Sequence, residues 1–188
     1  MICDAALEII KRNEGCILHT YLCPAGVPTI GYGHTGPDVK PGMEINQAFA
    51  DALLARDIQE FEDGVREVVR DGAATESQIG AMVSLAYNIG LTAFRRSTVL
   101  RKHNSQSFRE AADAFLMWNQ AAGREMTGLT RRRHEERALY LSLSPSGVKP
   151  TYDRYRVAKA MQVALGVTAD GIWGPVSRAA YEKFNQGA

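Results

Sequence analysis

Residues 14–34 bring together four side chains that can do chemistry: the carboxyl group of Glu14, the thiol of Cys23, the hydroxyl group of Thr29 and the imidazole of His34. A carboxyl group can donate or accept a proton, and an ionised thiol is a nucleophile. The backbone between these residues is rich in glycine and offers little bulk. Reactive groups crowded onto such a backbone indicate a functional site rather than a core.

The elements that must position these groups are a helix and a hairpin. Apolar residues recur at helical spacing from Ile2 to Ile10, so we predict an amphipathic helix over residues 2–14 that ends at Gly15. Two strands, over 19–22 and 27–32, are predicted on either side of a turn. Glu14 therefore sits where the helix gives way to the hairpin.

The rest of the first 143 residues is predicted to be mainly helical. A loop is predicted over 35–43, and helices follow over 47–69, 79–90, 94–104, 108–118 and 129–142. Asn46 is a candidate N-cap, and residues 75–78 and 107–110 have the spacing of capping boxes. The helix ending at Gly90 is expected to be buried and central. His103 and His134 are expected at the surface, whereas the aromatic residues are expected in the core (Phe94, Phe108, Phe115, Trp118).

The chain is predicted to have a main domain over residues 1–143 and a small C-terminal segment over 152–188. Residues 144–151 are rich in serine, proline and glycine, which is typical of a linker. Beyond them the pattern predicts a helix, a turn over 170–175 and a second helix. A segment this short is marginally stable on its own and should depend on the main domain or on a ligand.

The distribution of charged and apolar residues limits the class of protein and the partners that the chain could have. The net charge is +1, but residues 44–76 hold nine acids against three bases, and residues 95–137 hold ten bases against five acids. A basic face could attract a nucleic acid or an anionic cell-wall glycan. No apolar run approaches the ~18 residues of a membrane span. The N-terminus lacks the pattern of a signal peptide, so synthesis in the cytoplasm and release by another factor are expected.

Three patterns suggest ligands that the sequence context disfavours. Residues 31–36 match G-x-G-x-x-G, but prolines follow where a nucleotide-binding helix would begin. Cys16, His19 and Cys23 could bind zinc, but no fourth ligand is obvious, so no metal or cofactor is predicted. Residues 131–133 are consecutive arginines, and together with Arg137 they could bind nucleic acid, but no aromatic platform accompanies them. Most of them are expected on a solvated helix face, with one or two turned inward towards an acid.

The spacing of Glu14, Cys23 and Thr29, with the run that ends at His34, resembles the catalytic signature of phage-type lysozymes, glycoside hydrolase family 24. The resemblance continues through residues 53–57, 78–90 and 115–141, and it covers about residues 5–143. It implies an α+β, mainly helical fold in which a small N-terminal β-hairpin lobe and a larger helical lobe flank a cleft. The C-terminal segment resembles a short three-helix peptidoglycan-binding domain and would form a helical appendage.

The resemblance also implies roles for three catalytic residues. Glu14 would be the general acid, and Thr29 would help to position the attacking water. Cys23 stands where many family members have aspartate. A thiol there could act as a weak base, as a thiolate nucleophile, or as a tolerated group in a site dominated by Glu14.

Further residues receive supporting roles from the same resemblance. Gly31, Tyr32 and Asn88 would contact the substrate, with Asn88 bonded to sugar N-acetyl groups. His34 and Asp57 would form a structural ion pair that raises the pKa of His34. One of the three arginines would pair with Glu14 (Arg131, Arg132, Arg133).

The implied protein is a monomeric endolysin without a cofactor. It would hydrolyse the β-1,4 bond between N-acetylmuramic acid and N-acetylglucosamine in bacterial peptidoglycan. It would wait in the host cytoplasm until a separate holin permeabilises the membrane, and then act on the wall. One alternative is a peptidoglycan-binding protein without catalysis. Another is a nucleic-acid binder that uses the arginines, although no nucleic-acid partner is predicted.

Overall fold

The computed structural model describes residues 2–70, 74–142, 162–163, 165–168 and 176–180. These residues fall into two compact units. The helical unit contains the described residues of 1–13 and 58–151, and the hairpin unit contains residues 14–57 with the described residues of 152–188. The named elements, in chain order, are α1 (Asp4–Glu14), β1 (Ile17–Leu22), β2 (Pro28–Gly31), β3 (His34–Thr35), α2 (Gln47–Val68), α3 (Glu76–Ile89), α4 (Leu91–Arg95), α5 (Thr98–Asn104), α6 (Phe108–Phe115), a 3₁₀ turn (Leu116–Trp118), β4 (Gln120–Ala121), β5 (Arg124–Glu125) and α7 (Thr127–Leu141).

The hairpin unit is built on an antiparallel sheet in the order β1-β2-β3. Tyr21 lies opposite Thr29 across the first pair of strands, and Ile30 lies opposite His34 across the second. The predicted hairpin is therefore present. The third strand was not predicted, because two residues are too few to produce an alternating pattern.

Helix α2 begins as its sequence predicts. The Phe49 N–H group donates to Oδ1 of Asn46 over 2.9 Å, so Asn46 caps the helix. Phe49, Leu53 and Leu54 are buried on one face. The boundary between the two units falls within this helix, between Asp57 and Ile58.

Helix α3 is the buried central helix of the helical unit, as predicted. Thr75 and Gln78 form the capping box: the Gln78 N–H group donates to the Thr75 hydroxyl over 3.2 Å, and Gln78 Oε1 accepts the Thr75 N–H group over 2.9 Å. Ile79, Met82 and Leu85 are among its buried residues, and the helix packs along α7. It ends at Gly90, whose φ of +84° favours glycine.

Two local predictions were wrong. The single helix over 94–104 is two helices, because the Ser97 hydroxyl accepts the Leu100 N–H group over 3.1 Å and so begins α5 afresh. The capping box at Ser107 does not form. Glu110 pairs with Lys102 instead, and the Ser107 N–H group donates to the Lys102 carbonyl over 2.9 Å.

The position of His103 also differs from the prediction, since its side chain is only 2% exposed. Its Nδ1 atom lies 2.6 Å from the hydroxyl group of Tyr140, and its ring packs against Phe108 and Tyr140. The polar neighbours of His103 in the sequence lie on other faces of α5, so they do not indicate whether His103 itself is buried. His134 is exposed, Phe94 and Phe115 are buried, and Phe108 and Trp118 are half-buried.

The linker over 144–151 lies outside the described residues, as does most of the segment 152–188. Residues 176–180 of that segment are helical. The predicted domain boundaries and the peptidoglycan-binding role of the segment therefore stay predictions.

Within the described part of the chain, none of the helices has the length and apolar character that crossing a bilayer requires.

Candidate active site

The turn between β1 and β2 holds Cys23 at its first position. The Gly26 N–H group donates to the Cys23 carbonyl over 2.7 Å, and the Cys23 N–H group donates to the Val27 carbonyl over 3.0 Å. Pro24 suits the second position of such a turn, and Gly26 has a φ of +76°, which glycine adopts without strain. The local sequence thus folds the chain back around the side chain of Cys23.

The same turn favours the ionised form of Cys23. The backbone N–H groups of Val27 and Ala25 hydrogen-bond to Sγ and lower the pKa of the thiol, while partial burial opposes them. The Thr29 hydroxyl and the Gly26 N–H group lower the pKa further. Because N–H donors stabilise any anion at this point, the turn suits a thiolate or a carboxylate at position 23.

Thr29 lies beside this anion position and is 2% exposed. Its hydroxyl group donates to the Val27 carbonyl over 2.9 Å. The same hydroxyl group can instead donate to Sγ of Cys23, and this hydrogen bond lowers the pKa of the thiol. Because a hydroxyl group has a single proton, it donates either to Sγ or to the Val27 carbonyl at any one time. The predicted role of Thr29 in positioning water stays a prediction.

Tyr21 is a member of this site that the sequence reasoning missed. The pKa of its phenol is raised by burial first, then by the charges of Cys23 and Glu14. Both charges therefore act on the same hydroxyl group, so Tyr21 lies within electrostatic range of Glu14 and of Cys23. Tyr21 precedes Cys23 by two residues and lies opposite Thr29. The alternation of side chains along a strand is the signal that could have found it.

Glu14 reaches this site because α1 ends at that residue. Gly15 follows with a φ of +68°, a conformation that reverses the chain and leads directly into β1. The Glu14 side chain is half-buried. The structure thus gathers Glu14, Cys23, Thr29 and Tyr21 at one end of the hairpin.

Gly31 and Tyr32, predicted to contact substrate, lie against α2 instead of projecting into solvent. A Cβ atom on Gly31 would lie 3.6 Å from Cβ of Ala50. Tyr32 is 8% exposed, and its hydroxyl group accepts a hydrogen bond from Gln47 over 3.0 Å. Burial and then the neighbouring Asp51 raise the pKa of Tyr32 to about 12. Their substrate contacts stay a prediction.

His34 and Asp57 meet at the start of β3. His34 Nδ1 lies 2.8 Å from Asp57 Oδ2 and 3.0 Å from Oδ1. Its Nε2 atom lies 3.3 Å from the Asp38 carboxylate and 3.0 Å from Nη2 of Arg56. Burial alone lowers the pKa of His34, but the hydrogen bond and charge of Asp57, aided by Asp38, raise it overall. In the protonated ring Nε2 donates to Asp38, and in the neutral ring it accepts from Arg56.

Two of the four arginines of α7 are buried, whereas most of the four were predicted to be solvated; Arg137 pairs with Asp113 at the surface. Arg131 is exposed, but Arg132 is 2% exposed and Arg133 is fully buried. Both turn inward towards an acid, as was predicted for one or two of them, and that acid is Glu136. Arg133 also donates to Asn88 over 3.0 Å. Pairing between one of these arginines and Glu14 stays a prediction.

A separate cavity of about 430 Å³ lies in the helical unit, and it holds none of the predicted site residues. It is lined by four exposed arginines, one leucine and three polar residues (Arg70, Arg95, Arg96, Ser97, Leu100, Arg101, Asn104, Ser105). The three cysteines are free thiols. Among the residues that the structure describes, no three histidine, cysteine or acidic side chains are grouped to hold a metal ion.

Comparison with known proteins supports one family. The model of the family described as phage lysozyme matches residues 11–136. The chain is 44% identical over 137 residues to an endolysin of Salmonella phage P22, covering 71% of this chain and 92% of that one. It is 39% identical over 163 residues to an endolysin of Bacillus phage B103, covering 84% of this chain and 60% of that one. The chain thus spans about 60% of the length of that relative, and 64% of a similar endolysin of Bacillus phage PZA.

Solved structures agree with these relatives. The muramidase domain of SpmX from Asticaccaulis excentricus superimposes with a TM-score of 0.70 at 35% identity, covering 76% of this chain and 99% of that one. A crystal structure of a P22 lysozyme mutant gives a TM-score of 0.68 at 41% identity, with the same two shares covered. Since family model, relatives and structures agree over the residues that form the site, the chain belongs to the phage lysozyme family.

Proposed function

We propose that this protein is an endolysin that hydrolyses the β-1,4 bond between N-acetylmuramic acid and N-acetylglucosamine in peptidoglycan. The observation that carries the proposal is that a carboxyl group and an anion-favouring thiol lie within electrostatic range of one residue of the hairpin, Tyr21. Glycoside hydrolysis requires two such acidic groups, one to donate a proton and one to assist attack. The endolysins and the muramidase domain among the relatives support this substrate.

In the proposed reaction Glu14 donates its proton to the glycosidic oxygen as the bond to C1 breaks. A water molecule supplies the hydroxyl group at C1 and returns a proton to the site. Cys23 provides the negative charge opposite Glu14, because the N–H groups of Ala25 and Val27 favour its thiolate. It acts either by activating this water or by attacking C1 to form an intermediate that the water then hydrolyses.

The route to the wall is part of the same proposal. The protein waits as a monomer in the host cytoplasm, and a separate holin opens the membrane and gives it access to peptidoglycan. The segment 152–188 adds affinity for the wall. Its resemblance to a peptidoglycan-binding domain supports this role.

The first experiment replaces the proposed general acid. Glu14→Gln keeps the shape of the side chain but has no acidic proton, so release of reducing ends from purified peptidoglycan should fall by at least ~100-fold. Glu8→Gln, an exposed residue on the same helix, is the matched control and should keep full activity. Full activity of Glu14→Gln would refute the assignment.

Products made in ¹⁸O-labelled water identify the reaction class. Hydrolysis adds one labelled oxygen to each new reducing end, which mass spectrometry detects as a gain of two mass units. A lytic transglycosylase would give an unlabelled anhydro product, and that outcome would contradict the proposal. Binding to peptidoglycan without any cleavage would favour the wall-binding alternative, and strongly salt-dependent DNA binding would favour the nucleic-acid alternative.

Two variants separate the roles of Cys23. Cys23→Asp should stay active, because the N–H groups of the turn stabilise a carboxylate as they do a thiolate. Cys23→Ser offers no anion at pH 7 and should lose at least ~10-fold in turnover. Unchanged turnover of Cys23→Ser would show that Cys23 is neither base nor nucleophile. Detection of a glycosylated Cys23 by mass spectrometry would select the nucleophilic route.

A further inference from the structure

The cavity in the helical unit is lined by positive charges alone. Its lining includes Arg70, Arg95, Arg96 and Arg101, all exposed, and no acid among the described residues. We call it the arginine cavity. Arg95 pairs with Glu67 over 2.6 Å, whereas no acid of the described chain lies within ion-pair distance of the other three arginines. The cavity therefore keeps three positive charges that no described acid offsets.

Backbone hydrogen bonds fix the segments that carry these arginines. Oδ1 of Asn104 accepts the Arg70 N–H group over 3.0 Å, and Nδ2 of Asn104 donates to the Val68 carbonyl over 2.9 Å. This one amide group thus fastens the end of α2 to α5. At the end of α4, the Ser97 N–H group donates to the carbonyl of Phe94 over 2.9 Å, and Phe94 is fully buried. The arginines therefore extend from a backbone whose course is fixed.

Shape and charge together favour an anion in the arginine cavity. A sphere of its volume is about 9 Å across, close to the ~10 Å Debye length at about 0.1 M salt, so dissolved ions screen the charges only in part. A concave surface with charges of one sign also concentrates its electric field. Arginine binds phosphate and carboxylate groups through two parallel hydrogen bonds. The cavity is thus suited to a ligand that carries phosphate or carboxylate groups.

The lining also limits the class of anion. Among the described residues it contains no aromatic side chain on which the bases of a nucleic acid could stack. Its apolar residue, Leu100, is only 6% exposed, whereas a lipid surface is bound by exposed apolar side chains beside basic ones. A single carboxylate would offset one of the three charges. A chain of phosphodiesters joined by small polyols brings several negative charges without bases or acyl chains.

We propose that the arginine cavity binds the phosphodiester groups of a polyol-phosphate polymer attached to the cell wall. This inference rests on the proposed function, because that function brings the protein to the wall. The cavity adds affinity for walls that carry the polymer, independently of the segment 152–188. It holds none of the predicted catalytic residues, so cleavage of a wall without the polymer does not depend on it.

The first test measures binding without catalysis. Soluble poly(glycerol phosphate) is titrated into the full chain by isothermal titration calorimetry. Arg96→Gln combined with Arg101→Gln should raise Kd at least ~10-fold, because each arginine contributes charge-assisted hydrogen bonds. The matched control combines Arg109→Gln with Arg124→Gln, two exposed arginines outside the cavity, and should change Kd by less than ~2-fold. Equal losses in the two double variants would show that only net charge matters and would overturn the inference.

Removing the acid beside Arg95 gives a result that a damaged fold cannot mimic. Glu67 is exposed and pairs with Arg95. Glu67→Gln frees this arginine for the ligand, so Kd for poly(glycerol phosphate) should fall roughly 2- to 5-fold. Glu8→Gln makes the same change of charge at an exposed residue outside the cavity and should leave Kd unchanged. An unchanged or higher Kd in Glu67→Gln would contradict the inference.

Other anions test the class of ligand. DNA, polyglutamate and vesicles of phosphatidylglycerol are compared with poly(glycerol phosphate) at equal concentration of charge. Poly(glycerol phosphate) should bind most tightly, and its affinity should fall between ~50 mM and ~200 mM NaCl as counterions compete. Tighter binding of any of the other three, with the same dependence on Arg96 and Arg101, would overturn the inference in favour of a nucleic acid, a polycarboxylate or a membrane.

Cell walls connect the cavity with the proposed function. Purified walls are divided, and one half is treated with hydrofluoric acid, which removes phosphodiester-linked polymers and leaves peptidoglycan. The wild type should have a lower KM on untreated walls, and the double variant of Arg96 and Arg101 should lose this difference while its kcat on treated walls stays unchanged. If the wild type cleaves treated walls but does not bind poly(glycerol phosphate), the proposed function stands and only the present inference fails. If it binds the polymer but cleaves neither wall, the proposed function itself fails.

Discussion

Replacing Asp57 by asparagine should destabilise the protein more in acid than in alkali. The carboxylate of Asp57 accepts the Nδ1–H group of His34 at 2.8 Å and 3.0 Å, and His34 is 7% exposed. Asparagine keeps one oxygen that can accept the hydrogen bond from Nδ1–H of His34, but it lacks the negative charge of aspartate. The variant therefore tests the charge-assisted part of the contact alone.

The magnitude follows from the kind of hydrogen bond that is lost. A hydrogen bond to a charged group contributes about 1.5–3 kcal/mol, and a neutral one contributes about 1 kcal/mol. With His34 protonated, Asp57→Asn should lower the free energy of unfolding by about 2 kcal/mol. With His34 neutral, the loss should be about 1 kcal/mol or less. In a chain of this size 1 kcal/mol corresponds to roughly 2–4 °C in Tm.

The sign of the pH dependence follows from the pKa of His34. That pKa is raised in the folded state above the ordinary value of about 6.5, against burial and Arg56, by Asp57 and Asp38. The stabilisation that the ion pair provides is complete below pH ~6.5, and it is lost as the pH rises through the folded-state pKa. The effect of Asp57→Asn should thus be larger at pH 5.5 than at pH 8.5.

The assay is urea unfolding of both proteins at these two pH values, followed by far-UV circular dichroism. Asp63→Asn is the matched control, because Asp63 is exposed on the same helix and, among the described residues, its carboxylate accepts a hydrogen bond from Gln59 alone. It should change the free energy of unfolding by no more than about 0.5 kcal/mol at either pH. Equal losses for Asp57→Asn at pH 5.5 and pH 8.5 would refute the reasoning.

Three further predictions concern other parts of the molecule. Burial lowers the pKa of His103, so the contribution of the neutral His103 ring to stability is lost as the pH falls below about 6.5. The urea midpoints of wild type and His103→Gln should therefore differ less at pH 5 than at pH 7.5. An equal difference at both pH values would contradict this prediction. Gly80→Ala places a Cβ atom 2.8 Å from Cβ of Ala6, and such overpacking should lower the free energy of unfolding by about 1–3 kcal/mol. This loss should exceed the roughly 1 kcal/mol that alanine adds through helix propensity, so the Tm should fall. A higher Tm would refute the prediction. Iodoacetamide at pH 7 should modify Cys23 before the other two cysteines, as measured by peptide mass spectrometry, and equal rates would argue against a lowered pKa.

Local sequence signals determined the elements that carry the site. The Asn46 cap, the capping box of Thr75 and Gln78, and the glycine after Glu14 act within a few residues, so their predicted boundaries agree with the structure. The spacing of Glu14, Cys23 and Thr29 was sufficient to indicate the family. Where local signals competed, as at Ser97, the sequence did not decide between continuing one helix and starting another.

The tertiary structure decided how the polar side chains are used. Arg133 and Glu136 resemble a solvated helix face in the sequence, yet both are buried, because Ser84 and Asn88 reach them from a helix about 50 residues earlier in the chain. A charged residue is normally exposed unless a distant partner offsets its desolvation, and sequence spacing along one helix cannot reveal that partner. The types of Arg133 and Glu136 could thus be read from the sequence, whereas their burial and their contacts with α3 were decided only by the tertiary structure.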